Sequence, residues 1–509
     1  MQVLLQNRRP QHERQHWSQA TLPVRAGHAR MKQKSVSLAD VLNRLGPGML
    51  PFADAASKEL PLGRLLRLSL FQVTVGMAVV LLTGTLNRVM IVELGVPAWL
   101  IALMVSLPLV FAPLRALIGF RSDTHRSVLG WRRVPFIWFG SLLQFGGLAI
   151  MPFALLVLSG DGHGPVWIGV VGAALAFLLT GAGMHTAQTA GLALAGDLAP
   201  EASRPRVIAL LYVMLLLGMV VSAVIFALAL ADFDQIRLIR VLQGAALATI
   251  VLNCIALWKQ EARNPASTAK DLPRPAFRTA WRKLIQYPGM RRFLAVVGLG
   301  SVAFSMQDIL LEPYGAEVLG LSVSETTMLT ALLAGGALAA FAFAARQLGR
   351  GADPHRLAAG GILVGIVAFT AVVLAAPLDS ALIFRLGTVL IGFGGGLFGV
   401  STLTAAMGMA GESDNGLLLG AWGAVQATAI GSGIALGGAL RDVVNGFAIH
   451  GHFGPALTGP AVAYGFVYQL EIILLFITLA IAGPLAQPWQ RGRSAAATRK
   501  RFGLDQMPG

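Results

Sequence analysis

Lys259-Gln-Glu-Ala-Arg263-Asn-Pro265-Ala-Ser-Thr-Ala-Lys270-Asp-Leu-Pro273-Arg274-Pro275-Ala-Phe-Arg278-Thr-Ala-Trp-Arg282-Lys283-Leu-Ile-Gln-Tyr-Pro288-Gly-Met-Arg291-Arg292 is the longest polar stretch between apolar runs in this chain. It carries nine basic residues and four prolines, so it reads as a charged connector. Six apolar runs precede it, at about 68–92, 97–120, 134–158, 167–195, 207–231 and 238–258. Six follow, at about 293–316, 324–345, 357–376, 382–410, 417–440 and 464–486. Each is near the roughly 20 residues that span a bilayer core as a helix. None alternates as a barrel strand would.

Composition agrees with twelve spans. Of 509 residues, 55% are hydrophobic and 13% charged, and the mean hydropathy is +0.68. A soluble domain carries about 25% charged residues, so an ordinary soluble enzyme is excluded, and so is a disordered chain. The 59 glycines suit helices that pack closely in a membrane. A net charge of +16 invites a nucleic-acid partner. None is expected, because the basic residues sit between apolar runs and not on one soluble face. Thirty-three of the 40 Lys and Arg fall on the side of the N-terminus, and only Arg237 and Arg441 fall in loops on the other. That bias predicts that both termini are cytoplasmic, and the 66 polar and basic residues before the first run read as an uncleaved arm. Cys254 is the only cysteine, which excludes an intrachain disulfide and a cysteine metal site. There is no glycine-rich phosphate loop, hence no expected ATP chemistry, and no HExxH or nucleophile–base set. No enzyme and no protein-bound metal are expected.

The resulting domain plan is a basic arm over 1–66, a six-helix bundle over 67–258, the linker 259–292, a second bundle over 293–487 and a basic tail over 488–509. The halves resemble each other at matching places. Leu94-Gly95-Val96 corresponds to Leu319-Gly320-Leu321, and Arg121 to Arg346, at the same offset. Thr189-Ala190 through Asp197 resembles Thr404-Ala405 through Glu412. Two matched six-helix halves around a basic connector predict an all-α polytopic membrane protein of the major facilitator fold.

The loop after the second run reads Gly119-Phe-Arg-Ser-Asp123-Thr-His-Arg126, then Gly130-Trp-Arg132-Arg133. It resembles the major facilitator loop signature, with a stretched spacing before Arg132. That resemblance implies a cytoplasmic latch made by Gly119, Asp123, Arg126, Arg132 and Arg133. The plainer alternative is an ordinary positive-inside loop. Longer stretches narrow the likeness: Gly76-Met-Ala-Val-Val-Leu-Leu-Thr-Gly-Thr-Leu-Asn87-Arg88-Val-Met-Ile-Val-Glu93-Leu-Gly95, Ser305-Met-Gln307-Asp308-Ile-Leu-Leu-Glu312-Pro-Tyr314-Gly315, and Gly411-Glu-Ser-Asp-Asn-Gly416 leading into Gly420-Ala-Trp422-Gly-Ala-Val-Gln426. From about Leu50 to Leu485 the chain resembles the PucC/LhaA family, the bacteriochlorophyll-delivery branch of the major facilitators in purple phototrophic bacteria. The resemblance implies an inner-membrane factor that assembles light-harvesting antenna complexes by handling bacteriochlorophyll or a late precursor. Its implied partners are antenna polypeptides and possible pigment-synthesis enzymes, besides membrane lipid.

Of nine histidines, only His185 lies well inside an expected span. Gln188 and Thr189 follow at i+3 and i+4, on the same helix face. Neutral imidazole suits the axial position of a chlorin magnesium, whereas the bland alternative is interhelix packing. Trp422 and Gln426, at i and i+4, and Gln144 carry the same two readings, stacking or ligation against plain packing. Charges in spans cost roughly 2.5–3.5 kcal/mol on insertion scales, so each needs a reason. Asp308 and Glu312 share a helix face, and Arg88 stands at the equivalent depth of the first helix. An ion pair of Arg88 with Asp308 or Glu312 is therefore expected to close the periplasmic side. The carboxylates alternatively serve as a proton or cation site. Two further function classes stay open: a proton-coupled secondary transporter of a small solute, and a ligand-free scaffold with a degenerate transporter fold.

Overall fold

The computed structural model describes residues 60–110, 131, 133–160, 164–200, 203–261, 289–409 and 415–485. All regular structure among them is helical. The helices are α1 (Leu62–Glu93), α2 (Ala98–Val110), α3 (Val134–Leu158), α4 (Val166–Leu198), α5 (Arg204–Ala229) and α6 (Gln235–Leu257). In the second half they are α7 (Met290–Ile309), α8 (Val323–Leu348), α9 (Pro354–Ala375), α10 (Ala381–Met409), α11 (Asn415–Ile449) and α12 (Pro460–Ala482). Eleven of them are long and apolar enough to cross a membrane. The exception is α2, whose expected span continues to 120, outside the described residues. The outward surface is apolar, with Phe153, Leu228, Trp167 and Leu382 all more than half exposed, as a lipid-facing surface must be.

Three boundaries differ from the sequence expectation. Residues 62–66, assigned to the basic arm, already belong to α1. Arg237 lies in the first turn of α6 and not in a loop. Arg441 and Asp442, read as loop, are helical within α11, which runs nine residues beyond the expected end at 440. Charge had marked that end, but both side chains find partners inside the protein (below), so the helix has no reason to stop.

Packing repeats between the halves. Within α1–α6, contacts join α1 with α5, α3 with α4, α6 with α3, α2 with α4 and α6 with α1. Six helices later the same pairs recur: α7 with α11, α9 with α10, α12 with α9, α8 with α10 and α12 with α7. Across the halves, α2 packs on α11 and α5 on α8, while α1 meets the end of α7. The repeat reaches single hydrogen bonds. The Val96 N–H donates to the Met90 carbonyl at 2.8 Å, and the Leu321 N–H to the Gly315 carbonyl at 2.9 Å. Each bond closes the turn before α2 or α8 around a glycine with positive φ, Gly95 at 65° and Gly320 at 63°, a conformation that only glycine adopts without strain.

The mates α1 and α7 both leave regular α-geometry in their second halves. In α1, Val80–Thr85 and Val89–Glu93 are π-helical. In α7, Met306–Ile309 tightens to a 3₁₀ turn, and a short helix Leu311–Glu317 follows. Such departures free backbone groups and re-aim side chains. Here the Asn87 amide takes up the Thr83 carbonyl.

Candidate functional site

Where α1, α3 and α6 meet, the interior of the N-terminal half holds a polar network without charge. Thr74 on α1 donates to the Asn253 amide oxygen on α6 at 3.2 Å. The Asn253 amide nitrogen donates to Ser141 on α3 at 2.8 Å. Gln144 on α3 donates to the Thr74 carbonyl at 2.8 Å and to Thr249 Oγ1 at 3.5 Å. All five side chains are fully buried. They tie α1, α3 and α6 together in the way small polar residues join membrane helices.

The equivalent part of the C-terminal half is acidic. Glu471 on α12 accepts from the Gln307 backbone N–H at 2.8 Å. The Gln307 amide nitrogen donates to Asp308 Oδ1 at 2.6 Å. Glu312 Oε1 accepts from Thr330 on α8 at 2.6 Å. Three acceptors remain buried with no donor among the described residues: Glu312 Oε2, Glu471 Oε2 and Gln307 Oε1. Gly84 of α1 makes room for this cluster. A Cβ there would come within 2.9 Å of Thr330 Oγ1 and closer still to Glu312 Oε1.

Two adjoining cavities open onto these groups and share Gln307, Asp308 and Leu333. One, of about 140 Å³, lies between the halves and is lined by Thr83, Met219, Glu312 and Thr330 among others. The other, of about 190 Å³, lies within the C-terminal half. Gln426, Phe304, Phe398 and the α10 glycines Gly392, Gly395, Gly396 and Gly399 line it. Both are walled mainly by apolar side chains, with Gln307, Asp308, Glu312, Thr330 and Gln426 as polar groups among them.

The expected ion pair of Arg88 with Asp308 or Glu312 is not the one formed. Arg88 pairs with Glu93. These residues are five apart, and five is the hydrogen-bonding step of the π-helical segment between them. The halves are joined at this end by a different cluster. Arg441 on α11 reaches Glu317 at 2.6 Å and Asp442 at 2.8 Å, and Tyr464 on α12 donates to Glu317 at 3.0 Å. Asp442 in turn accepts from the backbone N–H of Trp99, in the first turn of α2, at 2.8 Å. A carboxylate of one half thus caps a helix of the other.

The other expected residues are dispersed. His185 is buried on α4, and Thr189 spends its hydroxyl on the His185 carbonyl at 2.7 Å. Gln188 donates to Gln72 on α1 at 3.5 Å. Gln144 belongs to the neutral network. Trp422 donates to Thr402 on α10 at 3.3 Å, and of the pigment candidates only Gln426 lines a cavity with Asp308. Of the latch residues, Gly119, Asp123, Arg126 and Arg132 lie outside the described residues. Arg133 bonds Asp197 of α4 at 3.1 Å, and its backbone N–H donates to Glu261. Sequence reading overlooked Gln307 and Asp442 as site residues. The signals were an amide beside an acid in an apolar run, and an adjacent Arg-Asp pair at a helix end.

Solved structures share this architecture. An inward-facing bacterial homologue of the human lysosomal transporter Spinster superposes with a TM-score of 0.61 at 15% identity, over 82% of this chain and 95% of that one. Among proteins similar in sequence, one from Rhodobacter capsulatus described as an uncharacterized protein in the puhA-bchM intergenic region is 56% identical over 92% of this chain and 98% of its own. The protein PucC of Rhodovulum sulfidophilum is 57% identical over 81% of this chain and 92% of its own. A more distant relative, the bacteriochlorophyll synthase 44.5 kDa chain of R. capsulatus, is 28% identical over 82% of this chain and 94% of its own. The family model of the PUCC protein matches residues 85–489. The chain is a multi-pass membrane protein of major facilitator fold, and it belongs to the PucC family.

Proposed function

We propose that this protein is an assembly factor for light-harvesting antenna complexes of a purple phototrophic bacterium, holding bacteriochlorophyll or a late precursor for antenna polypeptides. Family membership supports the photosynthetic setting. The observation that carries the pigment reading is the cavity in the C-terminal half, lined by the α10 glycines together with Phe304, Asp308 and Gln426. A glycine face gives a flat ring room, and Asp308 or Gln426 would supply an oxygen donor to its magnesium. At about 190 Å³ this cavity is below the roughly 300–1,000 Å³ of sites for drug-sized ligands, so a macrocycle needs it to widen together with the adjoining cavity between the halves. His185 is the second candidate ligand, from the other half. In this reading the protein sits in the inner membrane with both termini cytoplasmic, where the basic arm and linker meet antenna polypeptides, pigment-synthesis enzymes or anionic lipid.

The test is absorbance of the protein purified in mild detergent from a pigment-making host. Gln426→Leu is expected to cut bound pigment and antenna yield while membrane levels of the protein stay normal, and His185→Leu is the matched comparison. Unchanged pigment in both variants removes these ligands. Normal antenna levels in a strain lacking the protein remove the role. A second reading, a proton-coupled transporter of a small solute, is favoured by one observation: Asp308 and Glu312 line the cavity between the halves. Proton-dependent solute uptake into vesicles, abolished by Glu312→Gln, distinguishes it.

A further inference from the structure

A groove of about 560 Å³ runs down the outside of the molecule between α5 and α6, with Met77 of α1 at its floor. Along α6 it is lined by Arg237, Arg240, Val241, Gly244, Ala245 and Ala248. Ser222, Ile225, Phe226 and Ala229 of α5 form the facing wall. At 1.5 Å per residue, the path from Arg237 to Ala248 is about 16 Å long, half of a bilayer core of about 30 Å. The groove therefore fits one leaflet. Its rim carries two guanidinium groups one turn apart, and its interior is apolar.

These arginines break the charge pattern of the chain. Most Lys and Arg lie at the other end of the helices. The other arginines described near this end have carboxylate partners: Arg88 with Glu93, Arg385 with Glu325 and Arg441 with Glu317. Among the described residues the one ion pair of Arg237 is with Asp232, and both are exposed, a pairing that water weakens and a stronger anion displaces. Arg240 is exposed, and no ion pair or hydrogen bond to its side chain is found among the described residues. Gly244 lies deeper in the groove, and a Cβ built there meets nothing within 4 Å. Guanidinium groups bind phosphate through paired N–H donors, and an apolar slot beneath them takes a chain of methylenes.

From the arginine rim and the one-leaflet slot, we infer that the α5–α6 groove is a binding site for an anionic phospholipid. Arg237 and Arg240 hold its phosphate, and one acyl chain lies over Gly244 against Ile225 and Phe226. Nothing in this inference depends on the pigment reading. The experiment is lipid analysis by native mass spectrometry of the full chain, purified in mild detergent and titrated with phosphatidylglycerol or phosphatidylcholine. Wild type is expected to retain phosphatidylglycerol in preference to phosphatidylcholine. Arg237→Gln with Arg240→Gln should weaken that retention roughly tenfold or more, at about 1 kcal/mol per basic residue. Gly244→Leu, which fills empty space and leaves both arginines, should weaken it as well. Each variant is compared at unchanged elution volume and helix content. Equal retention of the two lipids, or of phosphatidylglycerol by wild type and both variants, overturns the site. So does loss in the arginine variant alone, which marks general headgroup contact, or a pigment retained in place of the lipid.

Discussion

The two halves share a packing plan and differ in what they bury at its centre. In the N-terminal half, Thr74, Ser141, Gln144, Thr249 and Asn253 form a neutral network. In the C-terminal half, Asp308, Glu312 and Glu471 gather about one 3₁₀ turn. A neutral network is cheap to bury, and each such bond contributes about 0.6 kcal/mol, up to about 1.7. Buried carboxylates are costly unless donors or cations meet them. A scaffold needs only the first kind of interior. The second is costlier, and it is the part of the interior on which the proposed ligand chemistry draws, in the C-terminal half and at its seam with α1.

The largest effect expected from breaking this contrast is at Arg441. Arg441→Ala strands Glu317 beside Tyr464 and releases Asp442. The loss should be about 3–5 kcal/mol, read as a lowered melting temperature in detergent. Arg441→Leu combined with Glu317→Leu should recover part of it, and simple additivity of the two changes would deny the coupling. Next is Gly84→Val, whose side chain drives into Glu312 and Thr330. Overpacking of this kind costs about 1–3 kcal/mol, and antenna yield should fall further than melting does because the change lies at the seam. The smallest stability effects compare the halves directly. Gln144→Leu should cost about 1 kcal/mol and leave activity per molecule unchanged. Glu312→Gln keeps an oxygen for Thr330, so melting should move by less than about 1 kcal/mol while function is lost. If Gln144→Leu abolished antenna assembly and Glu312→Gln did not, the assignment of roles would be reversed.

Much of the fold was legible because apolar runs of bilayer length need no tertiary information. The Leu-Gly-Val and Leu-Gly-Leu triplets also signalled the same glycine turn twice. The partners of the charges were not legible. Arg88 and Glu93 lie on different faces of an α-helix, and only the π-helical step brings them together. Arg441-Asp442 looked like the end of a span because hydropathy registers charge and not the Glu317 that pairs with Arg441 or the Tyr464 hydroxyl that accepts from it. His185, Gln188 and Thr189 do share a face by periodicity. Yet a hydroxyl on a helix finds its own backbone first, as Thr189 does, so spacing alone could not establish a ligand set.

The hydrogen bond from the Trp99 N–H to Asp442 has a thermodynamic consequence. A helix cap supplied by the same chain segment is kept through any rigid-body motion. This one belongs to α11, so it exists only while α2 and α11 touch at this end. Any motion that separates them there exchanges the carboxylate for water and forfeits about 0.5–2 kcal/mol. At the middle of that range the closed population is favoured about eightfold over the same protein without Asp442. Asp442 in this sense weights the balance towards contact of α2 with α11 at this end, by an amount that thermal motion can still meet.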